Sequence, residues 1–244
     1  MTIPEDDGYI SNYLTHWTGK FSDEDGVKNL NSIIAGRRLL LSENVIHTID
    51  YLHLVKGRMV CFTDVPFRFS SHHCGKYGRF GIVFKKNNLI HIGAQPVFYS
   101  SHIYKRDMNK VFNFIKEQTE NLTIPEDVYR SICRHFYFMQ AFSDGQTDSP
   151  EAFYYEREWR LGEQTLLTKE AQAEPNPPYR LLIERGLPYP PGLLVEDGDK
   201  VYFGFNESDV AYLIAPKKWI SEINHNGFMI EAYEDICAGK PVRV

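Results

Sequence analysis

The spacing of apolar positions near the start of the chain predicts a strand followed by a helix. The stretch around Tyr13–Thr18 is predicted to be a short strand. Apolar residues between positions 27 and 34 keep helical spacing, which indicates a helix after the strand. Ser22 or Asp23 is suited to cap its start, and Gly36 fits just past its end.

Further apolar segments predict more strands and two central helices. The segments that read as strands are 59–63, 80–84, 96–99, 153–161, 179–183, 210–214 and 228–232. A polar, histidine-bearing loop is expected at 69–78. Helical spacing predicts one helix around 108–115, a second around 128–139 that starts near Pro125, and a helix near Trp219.

The order of these elements indicates the fold class and the domain organisation. Strands followed by two central helices and then more strands are typical of an α+β domain. We expect one domain over residues 1–244, because neither an internal repeat nor a low-complexity tract divides the chain. Six prolines between 168 and 191 predict an irregular excursion within that domain.

Composition and charge restrict the class of protein further. Hydrophobic residues make up 43% of the chain and charged residues 24%, the mix of a globular protein with a sizeable core. The net charge of −5 gives no global attraction to nucleic acid. Four scattered cysteines, an acidic polar N-terminal stretch and no long apolar run predict a cytoplasmic protein with free thiols and no membrane span.

The segment FYYEREWRL at 153–161 raises the sharpest chemical question, because it carries two glutamates one residue apart. In a strand, side chains alternate between the two faces, so Glu156, Glu158 and Arg160 share one face with the carboxylates ~7 Å apart. One interpretation is a charge ladder on the solvent side of an edge strand, with Tyr155, Trp159 and Leu161 packed on the core. The other is a catalytic pair, in which one carboxylate holds a substrate and the other activates it.

Two other clusters are candidates for polar recognition. His16, followed by Thr18 and Gly19, can offer a ring nitrogen and a backbone amide to a ligand, or it is simply a half-exposed strand histidine. His72 and His73, next to Cys74, lack the spacing of a zinc site, so no metal is predicted. Dinucleotide-binding and phosphate-loop fingerprints are also absent from the sequence.

Four motifs in this order resemble the AbiGi-type abortive-infection family of bacterial phage-resistance proteins. They are HWTGK at 16–20, CFTDVP at 61–66, His73 with YGxxGIVF at 77–84, and EREWR at 156–160. The resemblance covers most of residues 14–161 and extends weakly to 201–205 and 210–216. The late EREWR motif is its most specific part. The family has also been described as antitoxin-like, which implies a cognate toxin partner.

Such proteins look like distant members of the ADP-ribosyltransferase fold, which implies a split β-sheet core with flanking helices and NAD in the cleft. On this resemblance Glu158 matches the catalytic glutamate, Glu156 matches an upstream carboxylate, and His16 matches the early residue that holds a ribose. Further residues are implied to contact NAD: Thr18 and Gly19 at the carboxamide, Tyr77 at the nicotinamide ring with Tyr99 in reserve, and also Thr63, His73 and Arg160.

The sequence therefore leaves three hypotheses open. The first is an enzyme that transfers ADP-ribose from NAD to an unknown macromolecule, either protein or nucleic acid. The second is a non-catalytic, antitoxin-like or nucleotide-binding partner protein in an abortive-infection system. The third, metal-assisted hydrolysis, requires His72, His73 and a carboxylate to converge on an ion.

Overall fold

The computed structural model describes residues 11–47, 54–100, 102–121, 124–125, 128, 135, 138–141, 154–163 and 194–234. Its strands are β1 (Tyr13–Thr18), β2 (Arg38–Leu40), β3 (Ser42–His47), β4 (Leu54–Thr63), β5 (Phe80–Lys85), β6 (Gln95–Pro96), β7 (Phe98–Ser100), β8 (Met139–Ala141), β9 (Glu158–Gly162), β10 (Leu194–Asp197), β11 (Lys200–Gly204), β12 (Val210–Pro216) and β13 (Ile230–Tyr233). Its α-helices are α1 (Asp23–Gly36), α2 (Ser71–Tyr77), α3 (Lys86–His91) and α4 (His102–Glu120). Short 3-10 helices span Phe67–Phe69, Tyr154–Glu156, Glu207–Asp209 and Lys217–Glu222.

One large sheet organises the described residues. Its strand order is β13-β12-β5-β1-β4-β9-β6, and β3 pairs with β4 at the side. Neighbouring strands are antiparallel except for β12 and β13, which are parallel. Two smaller sheets, β10-β11-β2 and β7-β8, accompany it. The prediction of a mixed α+β fold is confirmed.

The two faces of the large sheet bury different apolar clusters because side chains alternate along each strand. Phe84 belongs to the larger cluster, with Leu30 of α1, while its neighbour Val83 belongs to the smaller one. The smaller cluster includes Trp17 of β1 and Cys74 of α2, so α2 covers this second face. The sheet is therefore a layer between α1 on one side and α2 on the other.

The sheet is weakly joined between its two central strands. β1 and β5 pair along their full length, from Tyr13 opposite Lys85 to Thr18 opposite Phe80. β1 and β4 share one register pair, Thr15 opposite Thr63. The strands run on as one sheet through this point, and the expected division into two separate halves is not seen among the described strands.

Several local predictions are confirmed within the described residues. β1 has the predicted bounds, and Ser22 caps α1 by accepting a hydrogen bond from Asp25 N at 3.0 Å. The residue after α1 is Arg37, which takes the left-handed conformation, while Gly36 remains in the helix. Other confirmed elements are β4, β5, α4 and β12, whose bounds extend beyond the predicted segments.

Other local predictions are wrong. The expected loop at 69–78 contains α2, a helix that is too short for a periodic apolar signal. The expected strand at 96–99 is split between β6 and β7, which belong to different sheets. Met139, expected at the end of a helix, lies in β8. The predicted helix near Trp219 and the predicted last strand are both present, but the helix is of the 3-10 type and the strand begins at Ile230.

Some predictions fall outside the described residues or remain untested. The proline-rich excursion and the strand at 179–183 lie outside them, as does most of the second central helix. The single-domain organisation stays a prediction. Cys61 and Cys74 are free thiols, while Cys133 and Cys237 lie outside the described ranges. Within those ranges, no helix has both the length and the apolar character needed to cross a membrane.

Candidate functional site

A cavity of about 370 Å³ lies where β1 and β4 part, on the side of the sheet that α2 covers. Its walls come from β1, β4, α2 and β9, with Gln140 of β8. The volume is within the range of small-molecule sites. His16, Glu156 and Glu158, the three predicted catalytic residues, all line this one cavity.

The register between β4 and β9 explains how part of the cavity wall forms. Thr63 lies opposite Glu158, and Cys61 lies opposite Arg160. Directly opposed residues in an antiparallel pair point to the same face, so these four side chains share the cavity face. The intervening Phe62 packs into the larger apolar cluster and also borders the cavity.

Glu158 is held in a bidentate ion pair within its own strand. Arg160 donates from Nε to Oε1 and from Nη2 to Oε2, each at 2.9 Å. Arg160 Nη2 also donates to Gln140 Oε1 at 3.1 Å, and the backbone N–H of Glu158 donates to the Tyr99 hydroxyl at 2.9 Å. Burial lowers the pKa of Arg160, but the hydrogen bonds to Glu158 and the charge of Glu158 together raise it. The two bonds from Arg160 fix the direction of the Glu158 side chain.

Glu156 is held from a different direction, by α2. Its carboxylate accepts a hydrogen bond from the Tyr77 hydroxyl at 2.6 Å and is paired with the ammonium group of Lys76. Its backbone carbonyl accepts from the Thr63 hydroxyl at 2.8 Å and from the ring of His73 at 3.0 Å. Both the side chain and the backbone of Glu156 are thus fixed by hydrogen bonds. Glu156 is also buried, with 7% of its surface exposed.

The backbone between the two glutamates differs from the predicted strand. Tyr154–Glu156 is a turn of 3-10 helix, and Arg157 is left-handed with φ 45°. The regular alternation therefore begins only at Glu158. Arg157 forms an ion pair with the buried Asp64 at 2.8 Å, and Lys86 pairs with the same carboxylate at 2.9 Å. Glu156 and Glu158 reach one cavity because this turn is anchored, and strand alternation is not the cause.

The interpretation of Glu156 and Glu158 as a charge ladder on the solvent side of a strand is wrong. Glu156 is buried and Glu158 is partly buried, so neither carboxylate is on an open face. Tyr155, which that interpretation packs on the core, is 59% exposed. The two carboxylates and their partners instead make a polar wall inside a cavity.

His16 spans the gap between β1 and β4. Its Nδ1 lies 2.9 Å from the carbonyl oxygen of Cys61, and its ring is edge-on to Phe62 at 6.0 Å between centroids. A carbonyl only accepts, so Nδ1 carries the proton and Nε2 is an acceptor. Burial lowers the pKa of His16, more than the bond to Cys61 raises it. His16 is therefore a neutral ring at pH 7.

His73 is a second neutral histidine, and the pair predicts a loss of stability in mild acid. Burial lowers the pKa of His73, as it does for His16. Below pH ~6.5 the unfolded chain binds protons at these positions while the folded chain does not. The free energy of unfolding is therefore expected to fall from pH ~6.5 downwards, by up to about 1.4 kcal/mol per pH unit for each histidine, until the folded-state pKa is reached.

Urea unfolding at closely spaced pH values measures this slope. His16→Phe removes one titrating ring and is expected to reduce the slope, whereas replacing the exposed His225 by glutamine is expected to leave it unchanged. An equal slope in wild type and His16→Phe contradicts the assignment of a neutral buried ring.

The hydroxyl and thiol groups around the carboxylates stay protonated. Burial and, after it, the Glu158 charge raise the pKa of Cys61 well above its usual range. Burial and the bond to Glu156 raise the pKa of Tyr77. Burial likewise raises the pKa of Tyr99. These groups act as hydrogen-bonding groups, and Cys61 is a poor nucleophile because it is a neutral thiol.

Predicted cofactor-binding residues divide into two groups by location. Thr63, His73, Tyr77 and Arg160 line the cavity with His16. Thr18 and Gly19 are not among its lining residues. Gly19 has φ +92°, and a Cβ there would lie 2.7 Å from the Cα of Gly26 in α1. The close packing of the chain after β1 against α1 therefore explains why position 19 is a glycine. Tyr99 is outside the cavity, where its hydroxyl accepts a hydrogen bond from the backbone N–H of Glu158.

Sequence reasoning assigned no role to six residues that line the cavity: Thr15, Trp17, Cys61, Phe62, Lys76 and Gln140. Lys76 could have been predicted, because residues three and four positions apart lie on one side of a helix. Lys76 and Tyr77 lie three and four positions after His73. That signal depends on recognising α2. Gln140 had no local signal, since β8 meets the site only through the tertiary fold.

Metal chemistry finds no support in the described part of the chain. No group of three or more histidine, cysteine, aspartate or glutamate residues there is arranged to hold an ion. His73 instead bonds the Glu156 carbonyl, and the rings of His72 and His73 are nearly perpendicular, with centroids 5.9 Å apart.

Fold and site together define an α+β protein with a polar, small-molecule-sized cavity where two central strands part. Residues 47–172, just over half of the chain, match a family model described as "Putative abortive phage resistance protein AbiGi, antitoxin". The chain belongs to this AbiGi family of abortive-infection phage-defence proteins. No curated protein and no solved structure matches it significantly.

Proposed function

We propose that this phage-defence protein binds NAD in the cavity between β1 and β4 and transfers ADP-ribose to a macromolecular acceptor. The observation that carries the proposal is that His16, Glu156 and Glu158 line one cavity. An imidazole on one strand and two carboxylates from another segment are suited to grip a ribose from two sides. Protein and nucleic acid both remain acceptor classes, as the net charge of −5 favours neither.

In this reaction the bond between the nicotinamide nitrogen and the ribose C1′ breaks, and nicotinamide leaves with the electron pair. The ribose develops oxocarbenium-like positive charge, which the Glu158 carboxylate stabilises. Arg160 occupies one lone pair on each oxygen of Glu158, which leaves the others to accept a bond from a ribose hydroxyl. The acceptor nucleophile then bonds to C1′, and its proton passes to the Glu156 carboxylate, which is placed to orient the nucleophile.

The neutral His16 has a separate part in the proposal. Its Nδ1–H is used by the Cys61 carbonyl, so Nε2 is the atom that offers a lone pair to a ribose hydroxyl. Tyr77 presents an aromatic ring at the cavity, and Lys76 beside it is 40% exposed and can meet a phosphate. These contacts support the fit of a nucleotide and assign no step to a metal.

The proposal is tested with NAD labelled in the adenine moiety. The protein is incubated with it and with separate protein, RNA and DNA fractions from a bacterial extract, and label bound to each fraction is measured. Label transfer with release of nicotinamide is the expected result. Release of nicotinamide without transfer indicates NAD hydrolysis, and neither product, at concentrations where NAD binds, contradicts the transferase.

A second candidate function is a non-catalytic, antitoxin-like protein that binds a toxin partner or a nucleotide. Two observations favour it: each carboxylate already has a cationic partner, and the matched family carries the description antitoxin. Under this proposal protection against a co-expressed toxin does not depend on the charge of Glu158. Growth of cells that express wild type or Glu158→Gln, with and without phage infection, separates the two.

A further inference from the structure

Two buried polar atoms in the cavity wall have no hydrogen-bond partner in the described part of the chain. They are the indole Nε1 of Trp17 and the ring Nδ1 of His73. Both residues line the cavity, and they are 8% and 3% exposed. An unsatisfied buried donor or acceptor costs about 1–3 kcal/mol, so such atoms are rare in a folded protein unless something else satisfies them.

The two atoms have opposite hydrogen-bonding character. Trp17 Nε1 is a donor only. His73 Nε2 lies 3.0 Å from the Glu156 carbonyl, which only accepts, so Nε2 carries the proton of the neutral ring. Nδ1 of His73 is therefore an acceptor. The residues that line the cavity thus include one unpaired donor on β1 and one unpaired acceptor on α2.

The charges around these atoms restrict what can pair with them. Glu156 is paired with Lys76, and Glu158 is paired with Arg160, so the charged groups of the wall compensate one another. A neutral group is therefore favoured over an anion. Planar groups with an acceptor next to an N–H donor have this chemistry, and they occur as primary carboxamides and as the edges of nucleobases.

We propose that Trp17 and His73 form a subsite for such a planar amide-like group, with Trp17 donating to its acceptor atom and His73 accepting from its N–H. This rests on the proposed function, in that the cavity takes a nucleotide, and it moves amide recognition from Thr18 and Gly19 to this wall. Trp17 lies on β1 and His73 lies on α2, whose Cys74 and Tyr77 pack in one cluster with Trp17. The subsite therefore lies between the strand and the helix.

The test follows the indole N–H resonances of the 15N-labelled full chain, which has three tryptophans. Nicotinamide and adenosine serve as separate probes for the carboxamide and the nucleobase edge. Trp17, assigned with Trp17→Phe, is expected to shift with at least one of them. Trp219 is the internal control, because its N–H already donates to Asp23 at 2.9 Å, and it is expected to stay in place.

Ligand variants isolate the bond to His73. N,N-dimethylnicotinamide keeps the acceptor oxygen but has no N–H, and nicotinic acid is an anion without an N–H. Each is expected to bind roughly 10-fold more weakly than nicotinamide, and Trp17→Phe is expected to weaken nicotinamide or adenosine binding by a similar factor.

Several results overturn the subsite. They are a stationary Trp17 resonance at saturating ligand, equal binding by Trp17→Phe, equal binding of nicotinic acid, and no binding of either probe. The outcome is separable from that of the transferase proposal. Binding of the amide probe without transfer of label would support the subsite and contradict the transferase. Transfer of label with an unshifted Trp17 resonance would support the transferase and contradict the subsite.

Discussion

Glu158→Gln is expected to reduce transfer of ADP-ribose from NAD by at least about 100-fold, while the fold and NAD binding are largely kept. Glutamine has nearly the shape of glutamate but lacks the negative charge that stabilises the developing positive charge on the ribose. The change also removes the ion pair with Arg160, whose side chain is 8% exposed. A loss of about 1–3 kcal/mol in the free energy of unfolding is therefore expected alongside the kinetic effect.

A matched glutamate controls for this change. Glu163 follows β9 directly, is 37% exposed, and is 3.9 Å from Arg58, with no place in the cavity lining. Glu163→Gln is expected to leave transfer unchanged. Label transfer, NAD affinity and urea unfolding are measured for both variants. Full transfer by Glu158→Gln would remove Glu158 from the chemistry, whereas no transfer by the wild type would favour the non-catalytic, antitoxin-like function.

Gly78→Ala is expected to destabilise the protein by about 3 kcal/mol or more. Gly78 ends α2 with φ 108° and ψ 170°, a conformation that side chains rarely adopt. A Cβ there would lie 2.3 Å from the carbonyl oxygen of Thr18 and 2.4 Å from the carbonyl carbon of Gly19. Both are backbone atoms of the β1 end, so the strand and α2 must separate to make room.

Gly198→Ala isolates the cost of backbone conformation from the cost of this contact. Gly198 has φ +60° in the turn between β10 and β11, and a Cβ there meets no atom within 4 Å. A loss of only about 1–2 kcal/mol is expected. Urea unfolding followed by circular dichroism compares the variants. An equal loss in the free energy of unfolding for the two variants would contradict the close contact between α2 and the end of β1.

The position of Gly78 also links stability to the site. α2 carries His73, Lys76 and Tyr77, which fix Glu156 from three directions. A displaced α2 is expected to release Glu156 before it affects the Glu158–Arg160 pair, which lies within β9. The position of Glu156 therefore depends on α2 and on Gly78, whereas the position of Glu158 depends on a pair within β9.

Much of the local structure was readable from the sequence because its signals are local. The helical spacing of Leu30 and Ile34 and the cap at Ser22 set α1, and the apolar run at 80–84 set β5. Such signals depend on backbone hydrogen bonds and on one buried face, which neighbouring residues decide. The grouping of His16 with Glu156 and Glu158 came from motif resemblance, and all three residues line one cavity.

The physical reason why Glu156 and Glu158 reach the same cavity could not be predicted from the sequence. The sequence prediction relied on strand alternation between Glu156 and Glu158, whereas the chain turns at the left-handed Arg157, held by Asp64 from the end of β4. No pattern within nine residues encodes an ion pair with a residue ninety positions earlier. The helix α2 was missed for a related reason, since its seven residues are helical through packing on β1.

By itself, then, the sequence determined the α+β class, the positions of α1, α4 and of β1, β4, β5 and β12, and the residue types available for chemistry, because these follow from short-range spacing and composition. Only the tertiary structure decided where β1 and β4 part, which cations pair with Glu156 and Glu158, and that Trp17 and His73 meet the same cavity as the glutamates. These depend on contacts between distant segments, whose geometry is fixed when the whole core packs.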